Sequence, residues 1–247
     1  MHSTPEVTLS PRFQFPLQPA NGWLAILSLI IITTVAAAAG LGKFLNILFP
    51  LGSVAVGYFL YKKYPLLYTG FTWWIWFLAA FIRRVADYRG GGFTSPSPII
   101  LTPYLVTLIT LITVYQHFPK LYRKEGLPFM LAGLSVTYGL LIGMINKSIP
   151  VAGAAFIDWL APIPFGFHIL VQWRNYPEFR RNLERTFIWG VLVMGIYGLI
   201  QHLTPPAWEL FWVENSDMIS ANFLQAFSSC RNKLCTCREG LSFEYLF

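Results

Sequence analysis

The stretch FIRRVADYRGGG, residues 81–92, closes a long apolar run with three arginines and one aspartate. The guanidinium groups of Arg83, Arg84 and Arg89 can bind phosphate oxygens through paired hydrogen bonds. Arg83 and Asp87 are four positions apart, so they share a face of a helix and can form an ion pair. Arg84 lies about 100° round that helix, away from the aspartate. The arginines therefore either bind an anionic ligand or only extend to water at a membrane edge.

A second charged residue lies in the apolar stretch FIDWLAPIPFGFH, where Asp158 precedes Pro162 and Pro164. These prolines remove backbone donors and are predicted to kink or interrupt the helix. An ionisable residue beside a broken membrane helix indicates a functional site. The alternative is that Asp158 caps a helix beginning at Trp159. We predict two anion-binding residues and two supporting carboxylates: Arg83, Arg84, Asp87 and Asp158.

Other residue types that carry chemistry form no motif. His117 and His168 are interpreted as structural, and His202 is only a weak acid–base candidate. The chain contains no glycine-rich phosphate loop, no HExxH and no GxSxG. Its three cysteines have the spacing C-x4-C-x-C without a nearby histidine, which is not a zinc pattern. We therefore predict no metal and no cofactor, and the catalytic residue is unassigned.

The composition indicates the elements that must position these residues. Only 12% of the residues are charged, about half of the usual fraction of a soluble domain. Long charge-free stretches approach the roughly 20 residues that a helix needs to cross a bilayer. We predict an all-α transmembrane bundle in residues 22–214, between a polar segment, 1–21, and a tail, 215–247. Its seven spans are 22–41, 44–61, 65–82, 98–116, 127–146, 153–173 and 186–203.

The basic residues predict the orientation. The net charge is +7, but the lysines and arginines lie in short loops, where they set topology rather than bind nucleic acid. With the N-terminus inside, ten of them lie on the inner side and five on the outer side, or eight with the tail. We predict a multi-pass membrane protein with a cytoplasmic N-terminus, an extracytoplasmic C-terminus and no cleavable signal peptide. Arg83, Arg84 and Arg89 are then unusual, because they lie on the side where positive charge is scarce.

Three further segments carry local predictions. Ser135, Gly139 and Gly143 recur every four residues, which favours the close approach of another helix. The segment WRNYPEFRRNLERTF is interpreted as a basic loop at the headgroups between spans 6 and 7. The segment TPPAWELFW is interpreted as an aromatic belt containing Trp208 and Trp212.

Three stretches carry a resemblance to a known family: YPLLYTGFTWWIWFLAAFIRRVADYRGG, FIDWLAPIPFGFHILVQWRNYPEFRRNLERTFIWGVLVMGIYG and PPAWELFW. They resemble the N-terminal half of cyanobacterial membrane proteins of the O-antigen ligase/polymerase type. Some relatives in that family are described as bicarbonate transporters. The resemblance implies a larger bundle, of about a dozen spans, that transfers or polymerises lipid-pyrophosphate-linked glycan at the outer face of the inner membrane.

The resemblance also implies roles for residues and partners. Arg83 and Arg84 match the family's RR-x-x-D position and would hold the lipid pyrophosphate in a metal-independent, inverting transfer. The implied partners are membrane lipids, the lipid-linked glycan and a C-terminal half. The chain stops 44 residues after the seventh predicted span, so we expect it to be inactive alone. A small-solute transporter or a membrane scaffold is the alternative, but the mid-span polarity that transport needs is slight and comes mainly from Thr107, Thr110 and Thr113.

Overall fold

The computed structural model describes residues 20–93, 97–172 and 176–215. Every regular element in these ranges is an α-helix. Residues 1–19 of the predicted polar N-terminus and residues 216–247 of the predicted tail lie outside the described residues. The helices are α1 (Ala20–Ala38), α2 (Gly42–Lys63), α3 (Pro65–Gly90), α4 (Pro98–Leu108), α5 (Leu111–Gln116), α6 (Phe118–Leu121), α7 (Leu127–Asn146), α8 (Ile149–Leu160), α9 (Pro162–Val171), α10 (Tyr176–Leu203) and α11 (Ala207–Asn215).

Seven segments within the described residues are long and apolar enough to cross a membrane. They are α1, α2, α3, α4 with α5, α7, α8 with α9, and α10. The prediction of an all-α polytopic bundle with seven spans is therefore confirmed. Neighbouring spans run in opposite directions, since Gly42 at the start of α2 lies against Gly90 at the end of α3, and Gly143 near the end of α7 lies against Ala152 near the start of α8. The connections 39–41, 147–148 and 204–206, together with residues 91–93 and 97, therefore share one end of the bundle, the Arg84 end. The connections at 64 and 117–126 lie at the opposite end, the His168 end.

Prolines and a glycine define several helix boundaries. Pro65, Pro98 and Pro162 are the first residues of α3, α4 and α9, positions where a backbone N–H would have no partner inside the helix. Gly91 has a φ of 65° and ends α3, with its N–H directed at the carbonyl oxygens of Asp87 and Tyr88. Only a residue without a side chain adopts this left-handed conformation at no steric cost. The boundary after the arginine cluster is thus built into the sequence.

The sixth span is interrupted where the prolines predicted. The helix α8 ends at Leu160, and α9 begins two residues later at Pro162. Proline lacks the N–H that would continue the helical ladder, and its ring displaces the preceding turn. The fourth span is also divided, since α4 ends at Leu108 and α5 begins at Leu111. The sequence analysis did not predict this second interruption.

The core of the bundle lies between α2, α3 and α4. Leu60, Tyr68, Ile99 and Val106 are fully buried there, and the Tyr68 hydroxyl donates to the Val106 carbonyl oxygen at 2.6 Å. Gly42 lets the start of α2 lie directly against the end of α3, because a Cβ would overlap the backbone of α3. These contacts fix the end of α3 that carries the arginines.

The basic segment between spans 6 and 7 is helical, so the predicted loop is wrong for residues 176–185. The helix α10 begins at Tyr176 and continues to Leu203. Arg180 and Glu184 form an i,i+4 pair at 2.7 Å on its exposed face, and Glu178 lies in its first turn, where a negative charge favours a helix. The segment therefore lengthens the seventh span, and α10 can pack along α3.

The small residues predicted to pack against another helix lie on α7, and only the Gly143 end of this row has a close neighbour among the described helices. A Cβ on Gly143 would lie 3.4 Å from the Cβ of Ala152 in α8, whereas one on Gly139 would meet no described atom within 4 Å. Ser135 is exposed and bonds to the Leu131 carbonyl oxygen of its own helix. Thus the close approach of a second helix involves only the Gly143 end within the described residues.

Candidate anion-binding site

Arg84 lies at the end of α3 and is held by Glu209 of α11. Its Nη1 donates to Oε1 of Glu209 at 2.8 Å and to Oε2 at 2.7 Å. The Glu209 side chain is 4% exposed and that of Arg84 is 24% exposed. A carboxylate removed from water in this way is stable only when it is paired and hydrogen-bonded. The two residues therefore depend on each other.

Two residues of α10 complete the coordination of the Glu209 carboxylate. Gln201 Nε2 donates to Oε2 at 2.9 Å, and the Tyr197 hydroxyl donates to Oε1. Trp208 Nε1 in turn donates to the Tyr197 hydroxyl oxygen at 3.1 Å. These bonds satisfy the oxygens of the buried carboxylate and join α3, α10 and α11 at one point.

The short helix α11 places Glu209 by its local sequence. It begins at Ala207, directly after two prolines, and the carbonyl oxygen of Pro206 accepts from the N–H of Glu209 at 3.0 Å. Trp212 follows Glu209 by three positions and so lies on the same side of the helix. Its ring lies under the guanidinium of Arg84, 5.0 Å from Cζ to the ring centroid, a cation–π contact.

The sequence interpretation missed Glu209. We read TPPAWELFW as an aromatic belt at the lipid surface, but Trp208 and Trp212 are half-buried and contact Tyr197 and Arg84. One signal was available, since Glu209 is the single acidic residue in an otherwise apolar segment. Glu209 also follows the seventh span, so it lies at the same end of the bundle as Arg84, for which the sequence predicted no ion-pair partner on α3.

Arg83 and Asp87 form the predicted i,i+4 pair. Arg83 Nε lies 3.5 Å from Asp87 Oδ2, and their side chains are 13% and 0% exposed. The guanidinium of Arg83 also lies over the ring of Phe93, 5.1 Å from its centroid. Neighbouring arginines on α3 are thus each held by one carboxylate and one aromatic ring, and Arg84 is the more exposed of the two.

The structure places Asp158 away from this site. Asp158 lies nine positions after the first residue of α8, about 13 Å along the helix, so it is near the middle of the span. The predicted cap of a helix beginning at Trp159 is wrong, because α8 already starts at Ile149. Asp158 is exposed and interacts with the hydroxyl of Tyr104 in α4.

The histidines occupy both ends of the bundle. His168 is 1% exposed and lines a cavity together with His117. His202 is exposed at the Arg84 end. In the described ranges, no three His, Cys, Asp or Glu side chains come close enough together to hold a metal ion.

Comparisons with known proteins add no relative. No family model matches the chain, and no curated protein or solved structure matches it.

Proposed function

We propose that this chain is an integral membrane protein of the O-antigen ligase/polymerase type, which handles lipid-pyrophosphate-linked glycan at the outer face of the inner membrane. Arg84 would bind the pyrophosphate at the Arg84 end of the bundle. The proposal rests on the sequence resemblance and on one structural observation, the clamped and partly exposed guanidinium of Arg84.

That observation favours an anion site because the clamp uses only part of the guanidinium. Both hydrogen bonds from Arg84 to Glu209 come from Nη1, whereas a guanidinium has five N–H donors on three nitrogens. Nη2 and Nε can therefore donate to a phosphate while Glu209 remains bound. Glu209 and Trp212 hold the guanidinium in one orientation. Less side-chain entropy is therefore lost when a ligand binds to Arg84.

Glu209 fits the role of a positioning residue better than that of a general base. A base must accept a proton from the acceptor hydroxyl, and its proton affinity must suit that task. Both oxygens of the Glu209 carboxylate already accept two bonds each, Oε1 from Arg84 and Tyr197 and Oε2 from Arg84 and Gln201, so they are occupied. In this proposal the base comes from outside this cluster.

Arg83 supports the same site from the side. Arg83 pairs with the buried Asp87 one turn later on α3. This pair holds the turn of α3 that also carries Arg84, the residue after Arg83. A second positive charge near a phosphate strengthens its binding, even when that charge is partly neutralised by an aspartate. We therefore assign the main contact to Arg84 and a secondary contact to Arg83.

The alternative, transport of a small solute, would be favoured by a polar path through the middle of the bundle. Thr107 and Thr110 are buried there, but their hydroxyls donate to backbone carbonyl oxygens of their own span, at 2.7 and 2.6 Å. Such bonds satisfy a hydroxyl locally and leave less of it for a passing solute. The geometry of these two threonines therefore gives no support to a solute path.

Binding of a polyprenyl pyrophosphate to the full chain in detergent micelles tests the proposal. Arg84→Gln should weaken binding about tenfold or more, as expected for the loss of a charge-assisted contact. Lys63→Gln is the matched control, since Lys63 is also an exposed cation at a span end but lies at the His168 end. Equal losses in both variants would mean that the arginines only anchor the bundle.

A further inference from the structure

A cavity at the His168 end lies outside the site described above. It has a volume of about 280 Å³, close to the lower limit of small-molecule sites. Its walls come from the ends of α2, α3, α5 and α9. The described residues that line it are Tyr61, Lys62, Pro65, Thr113, Gln116, His117, His168, Val171 and Gln172.

The floor of the cavity is a closed hydrogen-bond network. Thr113 Oγ1 lies 2.7 Å from His168 Nδ1 and 2.8 Å from the Tyr61 hydroxyl. Gln172 Nε2 lies 3.3 Å from His168 Nε2. Because an amide nitrogen only donates, His168 accepts at Nε2, carries its proton on Nδ1 and donates to Thr113. The floor is therefore neutral and already satisfied.

The rim of the cavity carries the groups that can bind a ligand. Lys62 and Gln116 are exposed, and His117 is half-buried. His117 Nδ1 lies 3.3 Å from the Thr113 carbonyl oxygen, which only accepts, so Nδ1 donates and Nε2 is the second ring nitrogen. Among the described lining residues, none is acidic and Lys62 carries the formal positive charge.

Four helix ends add partial charges at this end of the bundle. The C-terminal ends of α2, α5 and α9 direct partial negative charge to this end of the bundle, and the N-terminal end of α3 directs partial positive charge there. These partial charges are spread over four helix ends, whereas the Lys62 ammonium is a full charge on a mobile side chain. A ligand at the rim therefore meets a cation with amide donors beside it.

We propose that this cavity binds a phosphate group, with the phosphate at the rim between Lys62, His117 and Gln116 and the uncharged part of the ligand over the floor. The source is either the headgroup of a phospholipid or a free phosphate compound. The position at the ends of the spans favours the headgroup, because that is the depth at which lipid phosphates lie.

Histidine signals give a test that separates the two ends of the molecule. The chain has four histidines, of which His117 and His168 line the cavity and His202 lies in the last turn of α10, at the Arg84 end. The full chain, labelled with ¹⁵N-histidine in maltoside micelles free of phosphate, is titrated at constant pH with inorganic phosphate or with dihexanoyl phosphatidylglycerol. We expect the imidazole signals of His117 and His168 to shift, while the signal of His202 reports separately on the Arg84 end.

The two ligands identify the source of the phosphate. Saturable shifts with inorganic phosphate indicate a free phosphate compound, and shifts with phosphatidylglycerol alone indicate the headgroup. Lys62→Gln should weaken binding about tenfold, the effect of one charge-assisted bond. Lys63→Gln is the control, since both lysines end α2 and lie over aromatic rings, but Lys63 does not line the cavity.

Several outcomes would overturn the proposal. They are an absence of shifts with either ligand, equal shifts with dihexanoylglycerol, which has no phosphate, and equal losses in the Lys62 and Lys63 variants. A shift of His202 alone would place phosphate at the Arg84 end instead. That result would support the function proposed for Arg84 while rejecting this second site, so the two proposals fail separately.

Discussion

Arg84 Nη1 lies 2.8 Å from Oε1 and 2.7 Å from Oε2 of Glu209, a residue 125 positions later in the sequence. This pair ties the last full turns of the third span to the helix that follows the seventh span. Its environment is mostly buried, so each residue would leave an uncompensated charge if the other were removed.

The first prediction concerns the stability of this pair. Arg84→Ala should lower the free energy of unfolding by about 3 kcal/mol, because the Glu209 carboxylate stays buried without its cation. The double variant with Glu209→Ala should cost less than the sum of the two single variants. Unfolding of the full chain in micelles, followed by tryptophan fluorescence, measures the cycle.

The exposed pair Arg180 and Glu184 is the control for this cycle, since solvent screens it. Its double-mutant cycle should give a coupling near zero. A coupling of that size for Arg84 and Glu209 as well would show that their contact contributes nothing to the fold.

A second prediction concerns the packing that holds α3. Gly42→Ala should lower the thermal midpoint by several degrees, because the new methyl group would overlap the backbone of Ala86 and Gly90. Gly133→Ala is the matched control, since a Cβ at Gly133 meets no described atom within 4 Å. A midpoint for Gly42→Ala as high as that of the control would contradict the close approach of α2 and α3.

A third prediction distinguishes Asp87 from Asp158, the two carboxylates predicted from the sequence to support the anion-binding arginines. Asp87→Asn should weaken binding of polyprenyl pyrophosphate several-fold, because Asp87 orients Arg83 beside Arg84. Asp158→Asn should leave binding unchanged, since Asp158 lies near the middle of the sixth span and interacts with Tyr104. Equilibrium binding of both variants in micelles gives the comparison, and a loss confined to Asp158→Asn would reverse the assignment.

A fourth prediction concerns orientation. The excess of basic residues at the His168 end predicts that this end is cytoplasmic and that the Arg84 end is extracytoplasmic. Alkaline phosphatase fused after residue 205 should be active, and the same reporter fused after Lys124 should be inactive. The reverse pattern would place Arg84 on the cytoplasmic side and remove the outer-face glycan from consideration.

The sequence by itself determined the class of fold, because a bilayer allows few solutions. Apolar runs of sufficient length must be helical in lipid, where backbone groups have no water to bond. The interruption at Pro162 and the pairing of Arg83 with Asp87 were predictable for a similar reason, since both depend on neighbours within one or two helical turns.

Tertiary structure alone decided how Arg84 is satisfied. The sequence predicts no acidic partner for Arg84 on its own helix. The partner of Arg84 therefore depends on which distant segment packs against it, and the periodicity of the sequence does not predict that segment. Glu209 looked like one polar residue in an aromatic segment until α10 and α11 placed it against α3. The same reason explains Asp158, whose surroundings depend on where α8 begins and on the position of Tyr104. Local chemistry sets the helices and their ends, and long-range packing decides which charges meet.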